Sequence, residues 1–172
     1  ACLDRVSPVG MLGVGERELR YSPSLSKDRI MQWLHALRTY RIDEQTRLQR
    51  RLAELGAMQK ERALLIVLSD LHDPAAIGPL KQLAQHHDCV AIQLRDPAER
   101  NISGAGWMRA QEAESGQQFV SRGKRLGIDQ QYLTDELRRA RVDHLLIDID
   151  QPFVDKLRHF FKARGLQGRG AR

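Results

Sequence analysis

Three runs along the chain are apolar at consecutive or nearly consecutive positions, and the segments between them are apolar at every third or fourth. Leu64-Leu65-Ile66-Val67-Leu68 is the first such run, Val90 to Leu94 the second and Leu145-Leu146-Ile147 within residues 144–149 the third. Continuous apolar stretches of this length predict strands of a parallel sheet buried on both faces. The helical spacings lie around them. Ser26 is a candidate N-cap for a helix with Ile30, Trp33, Leu34 and Leu37 on one face. A second helix is expected from Asp43, with Leu48, Leu52 and Leu55 aligned and Gly56 at its end. Pro74 opens a helix with Ile77, Leu80 and Leu83, and residues 129–140 carry Tyr132, Leu133 and Leu137. Past Asp150, read as a helix cap, Phe153, Leu157, Phe160 and Phe161 recur at helical spacing as a core stripe.

Less regular pieces complete the pattern. Arg5 to Val14 reads as an irregular strand broken by Pro8, Gly10 and Gly13, with Glu16 to Tyr21 as its partner and Ser22 to Ser26 as a loop. Trp107 to Ala110 and Gln118 to Val120 predict a hairpin around Glu114-Ser115-Gly116. Strands alternating with helices give an α/β fold, a mostly parallel sheet with helices on both faces. The 172 residues form one expected domain, residues 1–164, followed by a basic flexible tail over 165–172, and the basic stretch that runs into the tail starts at Arg164.

Composition narrows the function classes. With 41% apolar and 29% charged residues the chain is an ordinary globule, and no apolar run approaches the roughly 20 residues of a membrane span. No signal peptide pattern opens it. Two cysteines, Cys2 and Cys89, fit a reducing, cytoplasmic setting, with Cys89 a small buried hydrophobe. The net charge of +6 hints at an anionic partner, yet it is spread over helices and the tail, and no aromatics interleave with the arginines. A nucleic-acid role, through the arginines of helix 43–55 and Arg138, Arg139 and Arg141, is therefore a weak alternative.

In an open α/β sheet, ligands sit at the carboxyl ends of the strands, and the first apolar run ends there in Asp70. Asp70-Leu71-His72 matches the first metal motif of the calcineurin-like phosphoesterases, in which a fixed carboxylate and imidazole hold one of two metals. That makes a phosphoesterase using Asp70 and His72 an alternative, although the Gly-Asp, Gly-Asn-His and Gly-His-x-His motifs do not follow. His86-His87 closes a helix, where the dipole favours it. Ser69, Ser103, Ser115 and Ser121 have no nucleophile-elbow context, and Gly13-Val14-Gly15 is a turn rather than a phosphate loop. Asp148 and Asp150 are a strand-end carboxylate pair suited to acid–base work, with capping by Asp150 the simpler reading.

Three stretches together resemble one bacterial family: Ile66 to Pro74; Arg95-Asp96-Pro97-Ala98-Glu99-Arg100 through Gly106 to Glu114-Ser115-Gly116; and Val142-Asp143-His144 through Asp150, Pro152 and Phe153 to Phe160-Phe161. They resemble the C-terminal portion of the domain of unknown function 58 family, a von Willebrand factor A-like group often encoded beside MoxR-type AAA+ ATPases. The resemblance implies a Rossmann-like sheet with a metal-ion-dependent adhesion site on its upper rim. Asp70 matches the late aspartate of that site and Ser24 its threonine, whereas the Asp-x-Ser-x-Ser loop is not in this sequence. The first residue is not methionine, and the loop and the first central strand are expected upstream of Ala1. The metal expectation is thus none, or magnesium weakly bound by Asp70 and Ser24, since magnesium demands a nearly complete octahedron. The implied role is a non-enzymatic interaction domain for a MoxR-type ATPase, in a chaperone-like or maturation system. Without the central strand, open sheet edges are expected to favour homo-oligomers.

Overall fold

The computed structural model describes residues 7–17, 19–39, 44–97, 107–111, 118–122 and 129–166, with the backbone alone for 107–111, 118–122 and 166. The chain is a mixed α/β structure. It opens with an antiparallel hairpin of β1 (Val9–Leu12) and β2 (Arg20–Ser24), paired Val9 to Ser24, Met11 to Tyr21 and Leu12 to Arg20. The strand thus runs through Pro23, which the expected strand over 16–21 and loop over 22–26 missed. The register shifts between Val9 and Met11, at Gly10. A Cβ on Gly10 would lie 3.0 Å from the Tyr21 carbonyl oxygen and 3.3 Å from Pro23 Cγ. The glycine bulge therefore makes room for a proline that has no N–H to pair.

Ser26 caps α1 (Lys27–Arg38), its hydroxyl accepting from the Arg29 N–H at 3.4 Å. Of the expected apolar face only Trp33 is buried, stacked on Tyr21 with ring centroids 5.7 Å apart, while Leu34 and Leu37 are half exposed. The hairpin turn is fastened to α2 (Leu48–Met58) by Arg51, whose guanidinium donates to the carbonyls of Gly15, Glu16 and Arg17. The Arg47 N–H donates to Val14 O at 2.6 Å, and Arg17 pairs with Glu44 at 2.7 Å. The helix starts at Leu48 and passes through Gly56, which does not end it as expected. A Cβ there would sit 3.3 Å from Leu83, so Gly56 lets the next helix approach. Asp43 lies outside the described residues.

Among the described residues the sheet is three parallel strands in the order β3 (Leu64–Ser69), β4 (Asp88–Arg95), β7 (Asp143–Asp148), in register Leu64 to Asp88 and Val90 to Asp143. Between β3 and β4 run a 3-10 turn over Pro74–Ala76 and α3 (Ile77–His86), with Asp73 capping the turn. The expected hairpin is β5 (Trp107–Gln111) with β6 (Gln118–Arg122), Ala110 opposite Phe119; its loop residues Glu114 to Gly116 fall outside the described residues. Then come α4 (Gln130–Arg139) and, after β7, α5 (Val154–Leu166).

Two cores flank the sheet. On one face Leu48 and Leu52 of α2, Leu80 and Leu83 of α3, and Leu133 and Leu137 of α4 cover Cys89 and Ala91, with Leu65 and Val67 against them. On the other, Leu157, Phe160 and Phe161 of α5 cover Val90, Ile92, Leu145 and Ile147. Only the middle strand is buried on both faces. β3 alternates, and its Leu64, Ile66 and Leu68 are 46%, 44% and 61% exposed. A continuous apolar run predicted burial on both sides; the correction comes from β3's place at the edge, beyond the reach of α5.

Two further corrections concern the C-terminal region. Asp150 stands in the turn after β7, while α5 begins at Val154 with its first bond from the Leu157 N–H to the Phe153 carbonyl, so Asp150 is not the cap. Arg164, read with the flexible tail, is only 5% exposed. It donates to Asp88 and Asp143 at 2.6 Å each and ties α5 to the amino ends of β4 and β7. Gly165 and Leu166 still belong to α5; the rest of the expected tail lies outside the described residues.

Candidate functional site at the carboxyl rim of the sheet

At the end of β3 the chain turns through Ser69 to Asp73, and almost every polar group there is used to hold the turn. The Ser69 hydroxyl accepts from the Leu71 N–H at 3.0 Å, and Asp70 Oδ1 accepts from the His72 N–H at 3.2 Å. Asp73 Oδ1 accepts from the Ala75 N–H at 2.9 Å, starting the 3-10 turn. Leu71 sits in the left-handed region at φ 59° yet is 3% exposed, its side chain in the core with Leu80 and Leu133. A branched residue rarely adopts that conformation, at a cost of order 1 kcal/mol. Burial of the leucine offsets it and turns Asp70 and His72, both exposed, outward on either side.

A polar network supports the turn from below. Gln93 is 3% exposed; its amide donates to the Asp70 carbonyl at 3.1 Å, and its Oε1 accepts from Gln130 Nε2 at 2.8 Å. His144 Nε2 lies 3.0 Å from the same Oε1, so this nitrogen carries the proton. Its Nδ1 lies 3.4 Å from the Thr134 hydroxyl, which donates to the Gln130 carbonyl at 2.8 Å. Burial holds the imidazole below its usual protonation range, in the neutral form this network needs. On the neighbouring strands Arg95 pairs with Asp148 at 2.7 Å, which engages that candidate acid in an ion pair. The signal for this network was a glutamine inside the otherwise apolar run Cys89 to Leu94: an amide buried in an apolar strand requires partners.

Ser24 and Asp70, the expected metal ligands, are not joined to one another by a hydrogen bond or ion pair among the described residues. The Ser24 hydroxyl accepts from the Ser26 N–H at 3.1 Å, at the start of α1, while Asp70 bonds within its own turn. Among the described residues no group of three or more His, Cys, Asp or Glu side chains is placed to hold a metal ion. One exposed carboxylate and one hydroxyl do not make the octahedral oxygen shell of magnesium. His87 is buried, with burial and then His86 lowering its proton affinity, and burial pushes the Cys89 thiol up to about 11. Both belong to the core; Cys2 lies outside the described residues.

Many of the arginines are already occupied. Arg50 and Arg51 pair with Glu54, Arg138 with Asp135, and Lys81 and Arg139 with Glu136. These partners hold the Glu54 and Glu136 carboxyls below their usual range. A depression of about 380 Å³ is lined by Lys81, Gln85, Arg139 and Arg141 at the carboxyl ends of α3 and α4, where cations complement the helix dipoles.

A family model described as "Protein of unknown function DUF58" matches residues 4–143. The chain belongs to the DUF58 family. No curated protein and no solved structure matches it. The DUF58 match takes in the β1–β2 hairpin, the rim from Ser69 to Asp73 and Gln93, and closes at the first residue of β7. No described helix is long and apolar enough to cross a membrane.

Proposed function

We propose that this DUF58 chain is a non-enzymatic protein-interaction domain, von Willebrand factor A-like in architecture, that presents the rim around Asp70 to a protein partner. One observation carries the reading. Asp70 and His72 project from a turn whose backbone is fixed by Leu71 in the core and by the Gln93 amide beneath it. A rigid, exposed, charged loop above an apolar scaffold suits docking, because little ordering entropy is lost on contact. The parallel sheet with Asp70 at its carboxyl end supports the von Willebrand-type assignment, and the adhesion site is vestigial or incomplete in what these residues supply. The partner implied is a MoxR-type AAA+ ATPase in a chaperone-like or maturation system, met in the cytoplasm.

The pairing of Arg50, Arg51, Arg138 and Arg139 with carboxylates weighs against nucleic acid as the partner. The test is capture of a purified MoxR-type ATPase by the chain and by Asp70→Ala, with ester hydrolysis in manganese assayed in parallel. We expect weaker capture by Asp70→Ala, with its circular dichroism unchanged, and no hydrolysis. Turnover abolished by His72→Ala would replace this reading with the phosphoesterase.

A further inference from the structure

We propose that the depression between α3 and the close of α4 binds a phosphate monoester carried by a soluble small molecule, with Arg141 as its chief donor. The depression lies beside the amino ends of β4 and β7, at the opposite end of the strands from the docking rim, and its role is independent of that rim.

Arg141 stands where a glycine is expected. α4 closes in a Schellman turn, in which the Val142 N–H donates to the Leu137 carbonyl at 2.9 Å and the Arg141 N–H to the Arg138 carbonyl at 3.0 Å. Such a turn needs one left-handed residue just past the helix, and here it is Arg141, at φ 61°. Glycine usually fills that place because a Cβ is disfavoured there. Any other residue costs stability, and residues held in this way gather where the side chain is needed. The ordinary reason for a cation at a helix end is a bond to the last carbonyls. The Arg141 guanidinium makes no such bond, and no ion pair, among the described residues. It is exposed and lines the depression.

The remaining donors come from both helices. Lys81 and Gln85 line the depression from α3, one turn apart, and Arg139 lines it from the last turn of α4. Glu136 ties the two walls together, its carboxylate accepting from Lys81 Nζ at 2.8 Å and from Arg139 at 3.0 Å. Each cation keeps further N–H groups for a ligand. The Gln85 amide has no hydrogen-bond partner among the described residues. The volume of about 380 Å³ is of small-molecule size. Charge narrows the class. Three cations against Glu136 leave two positive charges, of which the carboxyl ends of α3 and α4 offset about one. That balance suits one anionic group and works against a polyanion. Asp88 and Asp143, close in sequence, are held by Arg164 of α5. Four donor side chains around one depression call for more than two acceptor oxygens, which a phosphate supplies and a carboxylate does not.

The test is an NMR titration of the isotopically labelled chain with O-phosphoserine, inorganic phosphate and acetate at constant ionic strength. Phosphoserine and phosphate should shift the Ala84, Gln85, Ala140 and Arg141 amides and saturate at about millimolar concentration or below. Acetate should bind severalfold more weakly. Arg141→Gly should weaken phosphate binding about tenfold or more while the melting temperature holds or rises, because the turn is relieved. Lys81→Met, on the facing wall, should weaken binding severalfold. Affinity unchanged by either substitution, or acetate equal to phosphate, would overturn the proposal. So would capture of a single-stranded oligonucleotide with a steep salt dependence and no saturable phosphoserine shift, which would make the partner a nucleic acid. Binding only to vesicles that contain phosphatidic acid would overturn it in favour of a lipid surface. ATPase capture should survive Arg141→Gly, which separates failure of this proposal from failure of the docking rim.

Discussion

Replacing Arg164 with Met removes one guanidinium and leaves the volume of its stem, and the structure allows the cost to be worked out. The side chain is 7% exposed and makes two charge-assisted bonds of 2.6 Å, to Asp88 and Asp143, whose side chains are 25% and 19% exposed. Breaking a fully buried ionic cluster by removing one partner costs about 3–5 kcal/mol, because the remaining charges stay uncompensated. Here water reaches both carboxylates in part, so the loss is set lower, at about 2–3 kcal/mol. For a chain of this size that is about 4–12 °C in Tm. Urea denaturation followed by circular dichroism measures it directly. Asp88→Asn together with Asp143→Asn in the Arg164→Met background should recover part of the loss, since the two like charges that Arg164 bridged are then gone. The effect should change little with added salt, unlike that of an exposed pair. A destabilisation below about 0.5 kcal/mol, the usual range for a surface substitution, would refute the reasoning and return Arg164 to a solvated tail.

Other expectations follow from the same geometry. Cys89, 1% exposed with its thiol pushed up to about 11, should resist a disulfide reagent in the folded chain and react fully in denaturant; rapid labelling of the native protein would contradict its burial. His144 and His87 both bind protons less readily in the fold than the usual histidine value of 6.5. The unfolded chain therefore takes up protons first, and stability should fall as pH drops below about 6.5, levelling off below the folded values. Denaturation midpoints compared between about pH 7.5 and 5.5 test this sign, and a rising midpoint would reverse it. Arg141 holds φ 61° at the close of α4, its N–H bonded to the Arg138 carbonyl and the Val142 N–H to Leu137, a turn that favours glycine. Arg141→Gly should raise stability by about 0.5 kcal/mol once the looser unfolded chain is counted, and a loss would mean the side chain has a role of its own.

What the sequence made legible was what local chemistry dictates. Ser26 before a helical spacing, Pro74 behind Asp73, and apolar runs of strand length each act within a few residues, and the elements fell where those signals stood. Position within the sheet was harder. Leu64 to Leu68 and Cys89 to Gln93 look alike as strings, yet β4 is covered on both faces and β3 on one, because only the packing of α5 distinguishes them. Ion pairing distant in sequence was equally hidden: nothing near Arg164 announces Asp88 or Asp143. At the rim, Asp70 was found from its place after a strand. The left-handed Leu71 and the Gln93–Gln130–His144 network that position it depend on tertiary contacts, and Gln93 alone gave a hint.

The docking role proposed for the rim is tested most directly by titrating a purified MoxR-type ATPase with the chain and with Asp70→Asn in a calorimeter. Asparagine keeps the oxygen that accepts from the His72 N–H, so the turn stays formed and only the charge is lost. Losing one charge-assisted contact should weaken binding by about tenfold or more. Equal affinity for the two proteins would show that the rim carboxylate takes no part in recognition.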